Sequence, residues 1–326
     1  MIRYSPAKVE PIQVIEMSVS TDEQAFPDTP PVALTADGKL LSTMPNRLGY
    51  LSATDPSVGI EAIRHLYATQ GYVWLKGLLP RREVIDFRGW VLSHLAESGL
   101  LEPGTDPSLG IASDRAIDRQ LAERRLMSVV RSTGYEGFCA QPRLSRLMDA
   151  FVGGLSYLHK RKIMRFTLPG TATATPAHYD LVYLRGGTDR VVTTWIPIGD
   201  TTIDMGGLVY LEGSHAVGAA LEGQFNKDNS ALSPQERISA YNRNMSEGGW
   251  VSKDLPDMAE RFDTRWLMAD FEAGDIVLHS PYMIHASTTN QSLDGLIRLS
   301  TDIRYQNVDD EIDARWGNHW SLDDML

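Results

Sequence analysis

Cysteine is almost absent. Cys139 is the only one in 326 residues, so no internal disulfide can close, and without a CxxC partner no cysteine-based zinc site can form. It reads as a small buried hydrophobe. Long apolar runs are missing too: no window reaches the roughly 18 uninterrupted apolar residues of a membrane-crossing helix. The N-terminus, MIRYSPAKVEPIQVIEM, lacks the basic-then-apolar pattern of a signal peptide, which makes the cytoplasm the expected compartment. Positive charge is in deficit, with 31 Lys and Arg against 42 Asp and Glu and a formal net charge of −11. That excludes the broad basic field by which a protein grips nucleic acid or an anionic membrane. No strand-like run leads into GxGxxG or a Walker loop, and no repeat of 20 to 50 residues occurs. A small-molecule substrate is the partner these exclusions leave, and a homodimer is compatible with them.

What is present suffices for a sizeable core, with 42% hydrophobic and 22% charged residues. Residues 1–57 are rich in Pro, Ser, Thr and Asp (FPDTPP, STMPN, SATDPS) and read as an extended arm on the body rather than a domain. From residue 58 onward the pattern is that of a single domain. Ile60, Ile63, Leu66 and Tyr67 recur at helical spacing, GYVWLKGLL (71–79) is strand-like, and Val84, Phe87, Val91 and Leu95 mark an amphipathic helix after Pro80. A further helix is expected at PRLSRLMDAFVGG, ended by its glycine pair. Strand-like runs follow at 162–168, 178–185, 190–198, 206–213, 275–280 and 297–305, divided by Gly, Pro, Asn and Asp turns. Such spacing predicts an antiparallel sandwich or small barrel with flanking helices, not a parallel βαβ sheet. A polar stretch at 214–270, with helical patterns at SPQERISAYNRNM and LPDMAERFD, interrupts the strands as a lid-like insertion.

One stretch, TPAHYDLVYLR, sets His178 and Asp180 two residues apart. Read as a strand, it sends both side chains to one face. A carboxylate buried there without a partner would cost several kcal/mol, so a metal is a natural companion, although an HxD pair alone is common. Downstream, FEAGDIVLHSPYMIHASTTN supplies His285. Two histidines and one carboxylate make the facial triad that holds non-haem Fe(II) and leaves three adjacent positions open. Arg298 follows thirteen residues later, with Ser300 on the same strand face. Its guanidinium fork suits the distal carboxylate of a dicarboxylate such as 2-oxoglutarate.

The order HYD, TTWIPIGD, GGLVYLEGSH, AGDIVLHSPYMIH and then the arginine strand resembles the phytanoyl-CoA dioxygenase family of Fe(II)- and 2-oxoglutarate-dependent oxygenases. EAIRHLYATQGYVWLKGLLPRREV is similar to that family's N-terminal helix and strand. The resemblance spans about residues 59 to 306, with 214–270 divergent. It implies a mainly β fold, a double-stranded β-helix (jelly-roll, cupin-like core) with helices packed outside. By it, His178, Asp180 and His285 would bind iron, Arg298 would anchor 2-oxoglutarate, Ser287 would help hold the same carboxylate, and Trp195 would line that pocket. The gap from His285 to Arg298 is about two residues longer than the family pattern; this leaves Arg304 as an alternative anchor, although its place near the strand end favours a rim role. The implied activity is oxidation of an unactivated C–H bond of a small hydrophobic metabolite with Fe(II), 2-oxoglutarate and O2, by default hydroxylation, releasing succinate and CO2. Asp180 stands where halogenating relatives carry a small residue, which counts against halogenation.

The remaining histidines have plainer readings. His215 should fasten its loop, His279 should be a packed or hydrogen-bonded histidine rather than the third ligand, and His65, His94, His159 and His319 lack a partner pattern. Two other classes fit the same residues: a cupin-like metalloenzyme doing O2-independent isomerisation or hydrolysis, and a barrel retained as a non-catalytic subunit. Arg298 separates the first from an oxygenase, because such chemistry needs no dicarboxylate anchor.

Overall fold

The computed structural model describes residues 32–233, 236 and 251–321. Two β-sheets face each other. The larger runs β4(Ala53–Thr54), β5(Tyr72–Leu75), β11(Ile276–His279), β8(Val192–Pro197), β13(Arg298–Asn307) and β6(Ser156–Leu158), with β7(Ile163–Thr167) also paired to β13. The smaller runs β12(His285–Ser287), β9(Leu208–Leu211), β10(Trp266–Met268) and β3(Leu48–Tyr50). Pairing is antiparallel except where β3 joins β10 and β4 joins β5. A short hairpin, β1(Thr35–Ala36) with β2(Lys39–Leu40), precedes them.

Side-chain alternation along the strands sorts three apolar layers. Trp74, Trp195 and Val277 of the large sheet meet Leu208, Tyr210 and Leu267 of the small one between the sheets. The alternate positions Ile196, Leu278, Leu299 and Ile303 face outward, against helices α1(Ile60–Gln70), α2(Arg81–Leu95), α3(Arg119–Val130), α4(Thr133–Cys139) and α5(Pro142–Val152). The outer face of the small sheet, including Val209, Trp266 and Ala286, is covered by α6(Leu181–Leu184) and by α8(Leu255–Arg261), with α7(Ser214–Asp228) alongside.

Local chemistry explains the boundaries. Gly71 and Gly153 end α1 and α5 in the left-handed conformation (φ 78° and 74°) that a glycine adopts without Cβ strain. Pro80, in extended conformation, stands at the cap of α2. Helices α3 and α4 were not anticipated from periodicity, yet both carry ordinary cap signals: Asp118 accepts from the Leu121 N–H and Ser132 from the Tyr135 N–H.

Two further differences from the sequence reading matter. The run 178–185 is not a strand: His178 makes one bridge, and Leu181 to Leu184 then form a helical turn. Here tertiary contact overrides β-propensity, because the Leu181 N–H is taken by the Pro281 carbonyl and both leucines are buried under the small sheet. Within 214–270, α7, α8 and β10 are formed, while most of SPQERISAYNRNM lies outside the described residues.

Candidate metal and co-substrate site

His178 and His285 stand opposite each other in an antiparallel bridge: each backbone N–H donates to the other's carbonyl, at 3.0 and 2.9 Å. That pairing sets the two rings side by side with centroids 4.3 Å apart. Asp180 follows at the start of α6 with helical backbone angles (φ −66°, ψ −30°). The turn into the helix, rather than strand alternation, brings its carboxylate under the two rings. Oδ1 of Asp180 lies 3.8 Å from Nε2 of His178 and 3.8 Å from Nε2 of His285, and the three ligand atoms fall within 4.8 Å of one another. Ligands on one face of an octahedral ion at about 2.1 Å stand about 3 Å apart, so the two 3.8 Å edges of this triangle would each shorten by about 0.8 Å to close on one ion.

The hydrogen bonds select the atoms a metal would need. Nδ1 of His178 faces the Pro176 carbonyl at 2.8 Å, and Nδ1 of His285 faces that of Met283 at 2.9 Å. A carbonyl only accepts, so each Nδ1 carries the proton and each Nε2 turns a lone pair inward. Burial lowers the pKa of both imidazoles below the ordinary histidine value, in His285 well below it, with His178 and His279 adding to the effect there and Asp180 opposing it. Both rings are therefore neutral and ready to ligate. Burial alone would raise the Asp180 carboxyl, but the Arg304 charge and the hydrogen bond from His279 outweigh it and hold the group well below the carboxylate range. Oδ1 of Asp180 is buried without a hydrogen-bond partner among the described residues. An orphaned carboxylate oxygen aimed between two imidazole lone pairs fits a divalent cation.

Arg298 is buried on the interior face of β13, its guanidinium bonded to the Gly206 carbonyl. Burial brings its pKa down to about 10, helped by Arg165 and opposed by Asp302, which leaves it cationic at neutral pH. Among the described residues its Nε lacks a partner, as do the hydroxyls of Thr167, directly across the ladder on β7, and of Thr289. Such unmet donors suit a bound carboxylate. Ser287 lies two residues beyond His285 on the same strand face, and its hydroxyl accepts from the Thr175 N–H at 2.8 Å. Trp195 is buried between the sheets, edge-on to Phe271 with centroids 4.8 Å apart.

Arg304 does not stand at the rim. It is 4% exposed and donates from Nη2 to Oδ2 of Asp180 at 3.1 Å. It is therefore placed behind the metal ligand and not beside Arg298. His279 also stays outside the ligand triangle, with Nε2 3.4 Å from the same Oδ2 and Nδ1 3.0 Å from the Tyr210 hydroxyl. His215 packs over Gly71 and His159 bonds Gln306, both away from the triangle. Sequence reasoning missed Thr193, whose hydroxyl bonds Oδ2 of Asp180. It also missed Arg165, which reaches Asp302 on the interior face of β13 at 2.7 Å. Alternation along β8 and β7 was the available signal for these two, but it needed the neighbouring strand to show which face is inward.

Residues 67–299 match the family model of phytanoyl-CoA dioxygenase (PhyH). Over 76% of its length the chain is 28% identical to a 1-deoxypentalenic acid 11-beta-hydroxylase from Streptomyces arenae, covering 81% of that protein. It is 27% identical to the enzyme of the same name from Streptomyces exfoliatus, with the same two coverages. Among solved structures, the epimerase SnoN in complex with Fe3+, alpha ketoglutarate and nogalamycin RO superposes with a TM-score of 0.53 at 17% identity, covering 83% of this chain and 94% of SnoN. At that identity the likeness bears on the fold alone.

Proposed function

The chain belongs to the phytanoyl-CoA dioxygenase family and is a non-haem iron, 2-oxoglutarate-dependent oxygenase; from that premise we propose how its own residues divide the work. His178, Asp180 and His285 hold Fe(II) through Nε2, Oδ1 and Nε2. Arg298 receives the distal carboxylate of 2-oxoglutarate, with Ser287 beside it and Trp195 walling the pocket. The facing sheets are read as a double-stranded β-helix of jelly-roll, cupin-like type, one domain from residue 58 with 1–57 as an arm and 214–270 as the wall and lid of the site. When bound, iron with 2-oxoglutarate and O2 supplies the oxidant that attacks a C–H bond. The protein positions that bond, keeps water out and neutralises charge. The observation that carries this reading is the unpartnered Oδ1 of Asp180 between two inward-facing imidazole nitrogens.

The substrate is proposed to be a small hydrophobic carboxylic acid. Arg165 faces the same interior from β7, across from Ser300, and its side chain is 39% exposed while its partner Asp302 is 8% exposed. A cation reachable by solvent beside a buried metal site suits an anionic head group, and the Streptomyces relatives are named for action on an acid. One experiment tests both levels. Fe(II) and 2-oxoglutarate added without O2 should give the weak visible charge-transfer band of the chelate, lost in His178→Ala and needing far more 2-oxoglutarate in Arg298→Ala. A hydrophobic monocarboxylate should then shift the band of the wild type at concentrations about 10- to 100-fold lower than it does in Arg165→Ala. A band unchanged by His178→Ala sinks the metal assignment; an equal response of ester and acid sinks the substrate class.

A further inference from the structure

Three side chains that donate to one oxygen of Asp180 come from one row of the large sheet. His279 on β11 is the register partner of Thr193 on β8, and Thr193 is the register partner of Arg304 on β13. All three face the interior, and all three meet Oδ2 of Asp180: the Thr193 hydroxyl, Nη2 of Arg304 at 3.1 Å and Nε2 of His279 at 3.4 Å. None bonds Oδ1. The Tyr210 hydroxyl opposite Nδ1 of His279 leaves Nε2 as the nitrogen turned to the carboxylate.

Resting on the metal-site reading above, we propose that this row is a carboxylate-holding site in its own right, and that Arg304 is the positioning residue for Asp180. By occupying Oδ2 it leaves the aspartate a single oxygen for the metal and keeps three adjacent coordination positions open. The arrangement of Arg304 argues for this. Burying a guanidinium is costly unless it is paired, yet Nε and Nη1 of Arg304 are buried without partners among the described residues. Among the described residues its charge is met by Asp180 on one side and by the face of Trp316 on the other, with the ring centroid 4.9 Å away. The guanidinium is aimed at the same carboxylate oxygen that the Thr193 hydroxyl and Nε2 of His279 already meet, so its charge acts on the orientation of Asp180. A bidentate carboxylate would need Oδ2 free, and here three donors compete for it.

The test uses metal-free full-length protein and Co(II) as the probe, read by its visible ligand-field absorption rather than by turnover. Arg304→Ala should weaken Co(II) binding about 10- to 100-fold, Arg304→Lys should recover part of the loss, and Thr193→Val should weaken binding with little change in thermal midpoint. The decisive arm is anion rescue. In Asp180→Ala, sodium formate should enter the vacated site and restore the Co(II) spectrum, whereas in Asp180→Ala/Arg304→Ala it should not. Formate rescue that is equal with and without Arg304, or an Arg304→Ala variant that binds Co(II) as the wild type does, overturns the proposal. Wild-type protein that takes up no Co(II) overturns the metal-site reading as well, so the two failures are told apart by the wild-type titration.

Discussion

Asp180 carries two different surroundings on one carboxyl group, and most of what is specific to this site follows from that asymmetry. Oδ2 is enclosed by donors of the large sheet, while Oδ1 faces two imidazole nitrogens of the small-sheet side. Removing an active-site charge often stabilises an enzyme by relieving strain. Here the opposite is expected for the metal-free protein, because Asp180→Asn leaves the Arg304 guanidinium buried without its counter-charge. Chemical denaturation should show Asp180→Asn less stable than the wild type by about 3 kcal/mol, and equal or higher stability would contradict the pairing. At this scale the sequence was informative: ligand identity is a matter of residue type, and His178, Asp180 and His285 stood out by type and order. The roles of Arg304 and Thr193 did not, because a guanidinium or hydroxyl on a strand acquires its role from the strand beside it.

At the scale of elements, the segment carrying His178 and Asp180 is fixed from both ends of residues 214–270. Tyr179, between His178 and Asp180, turns away from the His178–Asp180–His285 triangle, and its hydroxyl meets Glu222 on α7 at 3.2 Å. Glu222 also receives Nε of Arg185 at 2.7 Å, a pair with side chains 7% and 8% exposed. From the far end of the insertion, Val251 and Ser252 bond the backbone of Ala177. Breaking a buried pair costs far more than the pair contributes, so Glu222→Ala should lower stability by about 3 kcal/mol and Tyr179→Phe by about 1 kcal/mol, measured by urea titration. A loss below 0.5 kcal/mol in Glu222→Ala, about what an exposed site gives, would remove α7 from the support of the site. The strand reading of 178–185 failed at this scale. Leu181 and Leu184 are good helix formers while Val182 and Tyr183 favour strands, so local preference is divided, and the cover of the small sheet and the Pro281 carbonyl decide for a helical turn.

At the scale of the whole molecule, buried histidines set how the fold answers acid. His159 lies away from the His178–Asp180–His285 triangle, 1% exposed, with Nε2 2.8 Å from Gln306 and Nδ1 unpartnered among the described residues. Burial lowers its pKa to about 4, with Gln306 opposing and Arg304 adding to the shift. Above the ordinary histidine value near 6.5 the group is neutral in folded and unfolded chains alike. Between there and about pH 4 only the unfolded chain takes up the proton, so stability falls as pH falls through that window. The full shift corresponds to about 3 kcal/mol, and a His159→Gln variant should lose less stability than the wild type between pH 6.5 and 4. Equal pH dependence of the two melting curves would refute the assignment.

Residue type and period were legible without a structure: an acidic chain with one cysteine, strands after helices, a histidine and aspartate two apart, a later histidine and an arginine behind it. Those features are local, so physical chemistry reads them without a partner. The tertiary structure alone decided which residues meet. His178 and His285 are opposite each other because the chain returns 107 residues later to the same bridge. His279, Thr193 and Arg304 form one row because β8, distant in the chain, lies between β11 and β13 in the large sheet. Strand order and register arise from burial summed over the whole core, a quantity that no short stretch of sequence contains.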